Sequence, residues 1–488
     1  MKNVQNGSDI KEMERSMIAE KFDFIIIGTG PAGFSAAMTA AKCGKKVLVV
    51  EKEGSLGGVC VNTGTFPSKT LREAVLLLTG HLRRQVFEED SCIIGATDIS
   101  MDKLKRRLQY VRLKEHAIID HQLLRNGVKL VRGAASFVDD HTVAIETINN
   151  EQKLTAWGEF IIIATGSKPR NPPEVPFDDR RIFDSRSILD MLTIPKTMII
   201  LGGGVIGSEY ATIFAALGVK VTLLDRGERL LKFVDHEITD ELQHNFPNGN
   251  VEYIASCGNF KIGVEGELAR ITLESGASYF ADTLFFALGR EANIKGLRLE
   301  RTGVRMSDSH YISVNDLYQT SVDHIYGVGD VVGWPSLAAT SIIQGRLAAL
   351  NAMQKRSEAF PKIFPVGIYT IPEISYVGLT EEELKEKDYK YVVGRCTYEE
   401  LPRGQISGEC EGMLKMLVHR DTREILGVHI FGGGATEIVH TALMAICHNA
   451  KIDLFIENIF NFPTYSEALK IAALSALNQI ERDRCLCP

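Results

Sequence analysis

Two glycine clusters, Gly28-Thr29-Gly30-Pro31-Ala32-Gly33 and Gly202-Gly203-Gly204-Val205-Ile206-Gly207, carry the first recognisable chemistry in this chain. Each follows an apolar run of strand length, at residues 22–27 and 197–201. Each precedes a small-residue stretch that reads as a helix, to residue 42 or so in the first case and from 208 to 217 in the second. A second apolar run follows, 46–50 or 220–224, and an acid closes the unit. Glu51 stands 23 positions after Gly28, and Asp225 stands 23 positions after Gly202. This order binds dinucleotides. The first glycine permits a tight turn, the second lets backbone approach a pyrophosphate, and the third lets helix pack on strand. Unpaired N–H groups at the helix start face the phosphates. The acid can accept hydrogen bonds from a ribose diol. One glycine triplet is a weak signal, but two copies with matching acids imply two dinucleotides.

A chain of 488 residues has room for about three domains. Hydrophobic residues make up 45% and charged residues 24%, which suits large cores. The net charge of −7 argues against general attraction to nucleic acid or anionic membranes. Apolar runs such as Phe160-Ile161-Ile162-Ile163-Ala164 have strand length and fall short of the ~20 residues that span a bilayer. Asp9, Glu12, Glu14 and Glu20 fit neither a secretory signal nor an acid-poor mitochondrial presequence, so residues 1–21 read as a tail. Nine scattered cysteines do not make a secreted disulfide framework. The expectation is a cytoplasmic protein without a nucleic-acid partner, membrane partner or metal.

After the first unit comes Gly57-Gly58-Val59-Cys60-Val61-Asn62-Thr63-Gly64-Thr65-Phe66-Pro67-Ser68-Lys69. This segment resembles the redox segment of the class I pyridine nucleotide–disulfide oxidoreductases, where two cysteines five residues apart form a disulfide beside the flavin. Cys60 holds the first place and Thr65 the second, and a hydroxyl forms neither a disulfide nor a thiolate. The likeness extends over residues 22–480. Ile161-Ile162-Ile163-Ala164-Thr165-Gly166 is similar to the family's crossover strand and Ala287-Leu288-Gly289-Arg290 to its return strand. Ile325-Tyr326-Gly327-Val328-Gly329-Asp330 is similar to its second FAD motif, whose acid binds the ribityl chain. The resemblance implies FAD at the first glycine unit, NAD(H) or NADP(H) at the second, and a homodimer or higher homo-oligomer. Cofactor contacts are then expected from Gly28, Gly30, Gly33, Glu51, Lys52, Gly58, Cys60, Thr65, Lys69, Thr165, Gly166, Gly202, Gly204, Gly207, Asp225, Arg226, Gly289, Arg290, Gly329 and Asp330. The implied fold is α/β, with two Rossmann-like three-layer dinucleotide-binding domains and a C-terminal α+β interface domain. The FAD domain is placed at 22–172, the nicotinamide-nucleotide domain at 173–292, a central segment completing the FAD domain at 293–358, and the interface domain at 359–482, before a tail at 483–488.

The resemblance also implies roles. In the family, the lysine after the redox segment lies beside flavin N5 and pairs with a glutamate after the second glycine turn. The matching residues are Lys69 and Glu209. A fixed ammonium stabilises negative charge as hydride arrives, and a paired carboxylate keeps it charged when partly buried. Near the C-terminus, family members place a histidine base five residues before a glutamate. Phe462 stands there ahead of Glu467, and a phenyl ring accepts no proton. Loss of the second cysteine and of the base points to an acceptor other than a disulfide. The pattern is similar to that of family members exchanging hydride between nicotinamide nucleotides. NADPH would reduce FAD and leave as NADP+, and NAD+ would enter the same pocket in a ping-pong sequence. That pocket must accept a 2′-phosphate and its absence. Asp225 suits the ribose diol, while Arg226 and Arg229 can attract phosphate. Val205 stands where some relatives carry an aromatic lid, leaving the pocket accessible. Three rivals are a reductase of quinones, dyes or metals, a thiol shuttle through Cys485 and Cys487, and a non-catalytic redox-sensing flavoprotein.

Overall fold

The computed structural model describes residues 19–79, 99–148, 153–355 and 360–486. The chain folds into two compact units. The first takes the segments ending at Pro67, Leu108–Arg170 and Gly289–Phe360, and the second takes Ser68–Arg107, Asn171–Leu288 and the chain from Pro361 onward.

The first unit is built on a six-stranded sheet. Its central strand, Glu20–Ile27, runs parallel to Val47–Glu51 with Phe24 opposite Val47, and parallel to Lys153–Ile163 with Ile25 opposite Ile161. Ile325–Gly327 extends the parallel part beside Lys153–Ile163. Lys129–Phe137 pairs parallel with Val47–Glu51 and then turns into an antiparallel meander through Thr142–Thr147. Strands buried on both faces read as unbroken apolar runs, as Ile161-Ile162-Ile163 does. Helix Pro31–Lys42 starts at the first glycine turn with proline in its first turn, where no amide hydrogen is missed. It packs tightly on helix Ala338–Ala352: a Cβ on Gly345 would meet the Ala32 carbonyl oxygen at 2.0 Å.

The second unit holds two layered parts. One is a five-stranded parallel sheet in the order Val251–Ile254, Lys220–Leu224, Thr197–Leu201, Thr283–Phe286, Ile182–Phe183. Helix Val205–Ala216 leaves its second glycine turn, and a three-stranded antiparallel sheet begins at Phe260–Glu265. The other part is a five-stranded antiparallel sheet, Val366–Ile368, Ile374–Gly378, Ile425–Phe431, Met413–His419, Tyr391–Thr397. Helices Ala435–Cys447 and Glu467–Leu486 cover it, burying Ile438, Ala442, Leu469, Ala472 and Ala476 in one core. The architecture is the α/β one expected. Among the described residues, no helix is long and apolar enough to cross a membrane. None of their His, Cys, Asp and Glu side chains cluster in threes as a metal site would need.

Candidate functional site

The first glycine turn is shaped from backbone outward. Gly28 has φ +107°, and a Cβ there would sit 2.5 Å from the Ala164 carbonyl oxygen. A Cβ on Gly33 would sit 2.1 Å from the Gly28 carbonyl oxygen, so helix and strand touch only because both lack side chains. A Cβ on Gly30 would meet nothing within 4 Å. The open side of the turn is therefore the side a pyrophosphate needs. Glu51 is buried and already engaged. It accepts from the Thr29 amide at 2.9 Å, from the Thr29 hydroxyl, and from the Glu53 amide at 3.0 Å. Lys52 beside it is exposed.

Other expected groups come together in this unit. The Ser167 hydroxyl donates to Asp330 Oδ2 at 2.6 Å, and Arg290 Nε donates to the same hydroxyl at 2.8 Å. Gln344 Oε1 accepts from the Gly329 amide at 2.7 Å, fixing the turn that presents Asp330. The Thr165 hydroxyl oxygen is buried without a hydrogen-bond partner among the described residues, and beside it Gly166 opens onto free space. An unmet hydroxyl, an unfilled turn and a carboxylate held by one oxygen fit a bound FAD. Sequence reasoning passed over Ser167, Gln344 and Thr29, whose roles appear only in their bonds.

Helix Gly58–Asn62 carries Cys60, a half-buried thiol. Its start backs on the first turn, since a Cβ on Gly58 would lie 3.0 Å from the Gly30 Cα. The Thr29 hydroxyl accepts from the Gly57 amide at 2.9 Å, and Asn62 Nδ2 donates to the carbonyls of Leu56 and Gly58, both at 2.9 Å. Gly58 is thus held beside Gly30, and Cys60 follows in the same helix. Thr65 opens the next helix, Thr65–Thr79.

In the second unit the turn repeats. Gly202 has φ +118°, a Cβ on Gly207 would sit 1.8 Å from the Gly202 carbonyl oxygen, and a Cβ on Gly204 would meet nothing within 4 Å. Asp225 differs from Glu51: no described group donates a hydrogen bond to its carboxylate. Nearby burial and the Asp225 charge push the Tyr253 hydroxyl up to about 12. Arg226 is exposed and lies over the Phe260 ring, 4.7 Å from its centroid. Arg229, expected beside it as a phosphate ligand, has its Nη2 engaged elsewhere, while its Nε is buried without a hydrogen-bond partner among the described residues. The Nη2 group pairs with Asp240 on helix His236–His244 and donates to the His236 carbonyl at 3.3 Å. Val205 is half-buried in the first turn of its helix.

Lys69 and Glu209 meet in this unit. Lys69 Nζ donates to both Glu209 oxygens, at 2.8 and 2.7 Å, with the lysine side chain 25% exposed and the glutamate 4%. The segment 369–371 holds both partners. The Tyr369 amide donates to Glu209 Oε1 at 2.9 Å, and its ring lies 4.8 Å from Lys69 Nζ. Arg72, one turn beyond Lys69, donates to the Thr370 carbonyl at 2.9 Å. The Ile371 amide donates to the Thr212 hydroxyl at 3.1 Å, one turn beyond Glu209. Burial, with the nearby carboxylates, raises the Tyr369 hydroxyl above its ordinary range.

Near the C-terminus, Phe462 is 73% exposed, and Glu467 Oε2 accepts from the Thr464 amide at 3.0 Å, closing a helix start. Of the terminal thiols, Cys487 lies outside the described residues, and for Cys485 only the helical backbone is described.

Residues 22–345 match the pyridine nucleotide-disulphide oxidoreductase family, and 364–473 match its dimerisation domain. A Mycobacterium bovis BCG protein named soluble pyridine nucleotide transhydrogenase is 43% identical over 460 residues, 94% of this chain and 98% of that one. One of the same name from Marinobacter nauticus is 41% identical over 468 residues, 95% of this chain and 100% of that one. Among solved structures, the HOCl-induced flavoprotein disulfide reductase RclA from Escherichia coli superposes with TM-score 0.82 at 25% identity, over 93% of this chain and 99% of that one. With its two dinucleotide turns and these matches along nearly its whole length, the chain belongs to the pyridine nucleotide-disulphide oxidoreductase family.

Proposed function

We propose that this protein is an FAD-dependent enzyme that passes hydride between NADPH and NAD+, the activity for which its relatives are named. The observation that supports it most is subtraction at fixed places. The chain keeps both dinucleotide turns and the Lys69–Glu209 pair, while Thr65 and Phe462 stand where thiol chemistry needs a cysteine and a base. The proposal includes a cytoplasmic homodimer, the match to a dimerisation domain supporting the second copy. It also keeps the division into FAD, nicotinamide-nucleotide, central and interface parts at 172/173, 292/293 and 358/359.

FAD, when bound, would supply a two-electron centre able to take and give hydride. Protein groups do the rest. Gly28, Gly30 and Gly33 admit one pyrophosphate, and Gly202, Gly204 and Gly207 admit another. Asp330, fixed through Ser167, offers a carboxylate oxygen to the ribityl chain. Lys69 places its ammonium where negative charge develops, and Glu209 keeps it in place. Asp225 accepts from a ribose diol, and Arg226 donates to a 2′-phosphate. The test is anaerobic: NADPH should bleach the flavin, and an NAD+ analogue should restore it with formation of reduced analogue. The reduced enzyme should show no long-wavelength thiolate–flavin band. Reoxidation by quinones but not by the analogue would sink the reading.

A further inference from the structure

The two ribose-reading groups of the second unit are adjacent in sequence, yet no described contact joins them. Asp225 and Arg226 make no ion pair with each other. The Asp225 carboxylate lies against two glycines: a Cβ on Gly203 would come within 2.5 Å of its Oδ2, and one on Gly227 within 3.2 Å. Arg226 lies in the bend that follows strand Lys220–Leu224, and there the Phe260 ring receives it. Phe260 opens strand Phe260–Glu265, opposite Leu273, 34 positions beyond Arg226. A guanidinium over a ring face is held by the attraction of its charge to the ring's π-electrons. Its five N–H groups stay at the rim, free for a bidentate anion. Arg229 is committed at one nitrogen, Nη2, to Asp240 and the His236 carbonyl.

We infer that Phe260 is the specificity-determining residue for the 2′-phosphate. It holds the Arg226 fork ready for a phosphomonoester and keeps that charge off Asp225, which stays available for a plain ribose diol. A nucleotide with a 2′-phosphate then uses the arginine, and one without uses the acid. A site whose acid and arginine neutralised each other would lose both modes. The inference rests on the proposed exchange between two nucleotides.

The experiment is calorimetric titration of the FAD-loaded enzyme with 2′,5′-ADP and with 5′-AMP. Phe260→Leu should raise Kd for 2′,5′-ADP about three- to ten-fold while 5′-AMP stays within about two-fold, a size fitting a cation–ring contact plus lost preorganisation. Phe260→Tyr, which keeps the ring, should match the parent for both ligands. In an Arg226→Ala background, Phe260→Leu should change nothing further. Unaltered 5′-AMP binding certifies the fold of each variant, and Phe260→Val supplies a second ring-free version should leucine misfold. Equal weakening of both ligands, no change for 2′,5′-ADP, or an effect that survives Arg226→Ala would overturn the inference. Hydride exchange by the parent enzyme is scored separately. Exchange with a neutral Phe260→Leu defeats the inference alone, and no exchange with a selective Phe260→Leu defeats the function alone.

Discussion

At the residue scale, Lys69 and Glu209 separate charge from structure. Glu209 is almost wholly buried, so Lys69→Met strands a carboxylate without its partner. Breaking such a pair from one side should cost about 3 kcal/mol of stability, visible as a lowered Tm. The double change Lys69→Met with Glu209→Gln should recover most of that stability, because the remaining group is neutral. Flavin reduction by NADPH should stay slow in both, by roughly 10²-fold in stopped flow, because the fixed positive charge is gone in each. Recovery of rate along with stability would make the pair structural only. Both residues were legible from their places in the sequence. Their support was not: Tyr369 reaches Glu209 from 160 positions away, and no local pattern announces a backbone amide as a partner.

At the element scale, the glycine units were readable because turn, helix and strand are written in consecutive residues. The helix after the second turn begins at Val205, not at 208 as expected, because Gly204 is its cap and Gly207 already lies inside it. The last helix runs to Leu486, past the apolar stripe that ends at Ile480, because the polar residues beyond are good helix formers. The pairing of Arg229 with Asp240 was unreadable for a complementary reason, since Asp240 arrives only when a separate helix packs. The same geometry separates two substitutions three residues apart. Gly207→Ala drives a methyl into the Gly202 carbonyl and should destabilise the protein by about 2–3 kcal/mol. Gly204→Ala meets nothing, so its Tm should barely move. Its methyl instead occupies the open side of the turn and should raise KM for NADPH and NADH alike, by roughly tenfold. Thermal melts beside steady-state kinetics check both.

At the scale of the whole molecule, a buried charge cluster ties parts of the second unit together. Lys415, 1% exposed, contacts Asp235 at 2.9 Å, Glu237 at 3.0 Å and Glu381 at 2.5 Å. Burial opposes ionisation of Glu381, yet bonds from Lys385 and Lys415 hold its carboxyl down at about 2. Burial likewise opposes the lowering at Asp235 and Glu237, where neighbouring cations win. A depressed folded value adds stability above the ordinary carboxylate range, and that stability is lost as pH falls toward the folded value. Stability measured by denaturant should therefore fall from about pH 4.5 toward 2. Lys415→Met should be less stable by about 3–5 kcal/mol at neutral pH and should flatten that acid limb. A second prediction concerns assembly. Ile459, 97% exposed, lies with Phe462 in the stretch matching the dimerisation domain. Ile459→Asp should give monomers by sedimentation, and an unchanged dimer would move the interface elsewhere. The two closing acids, finally, set two different clocks. Glu51 draws its hydrogen bonds from Thr29 and Glu53, whereas Asp225 must take its own from whatever arrives. On the proposed function the first acid is satisfied before its nucleotide arrives, which suits long residence. On the same proposal the second would be completed by each nucleotide in turn, an arrangement that rapid exchange of one nucleotide for another favours.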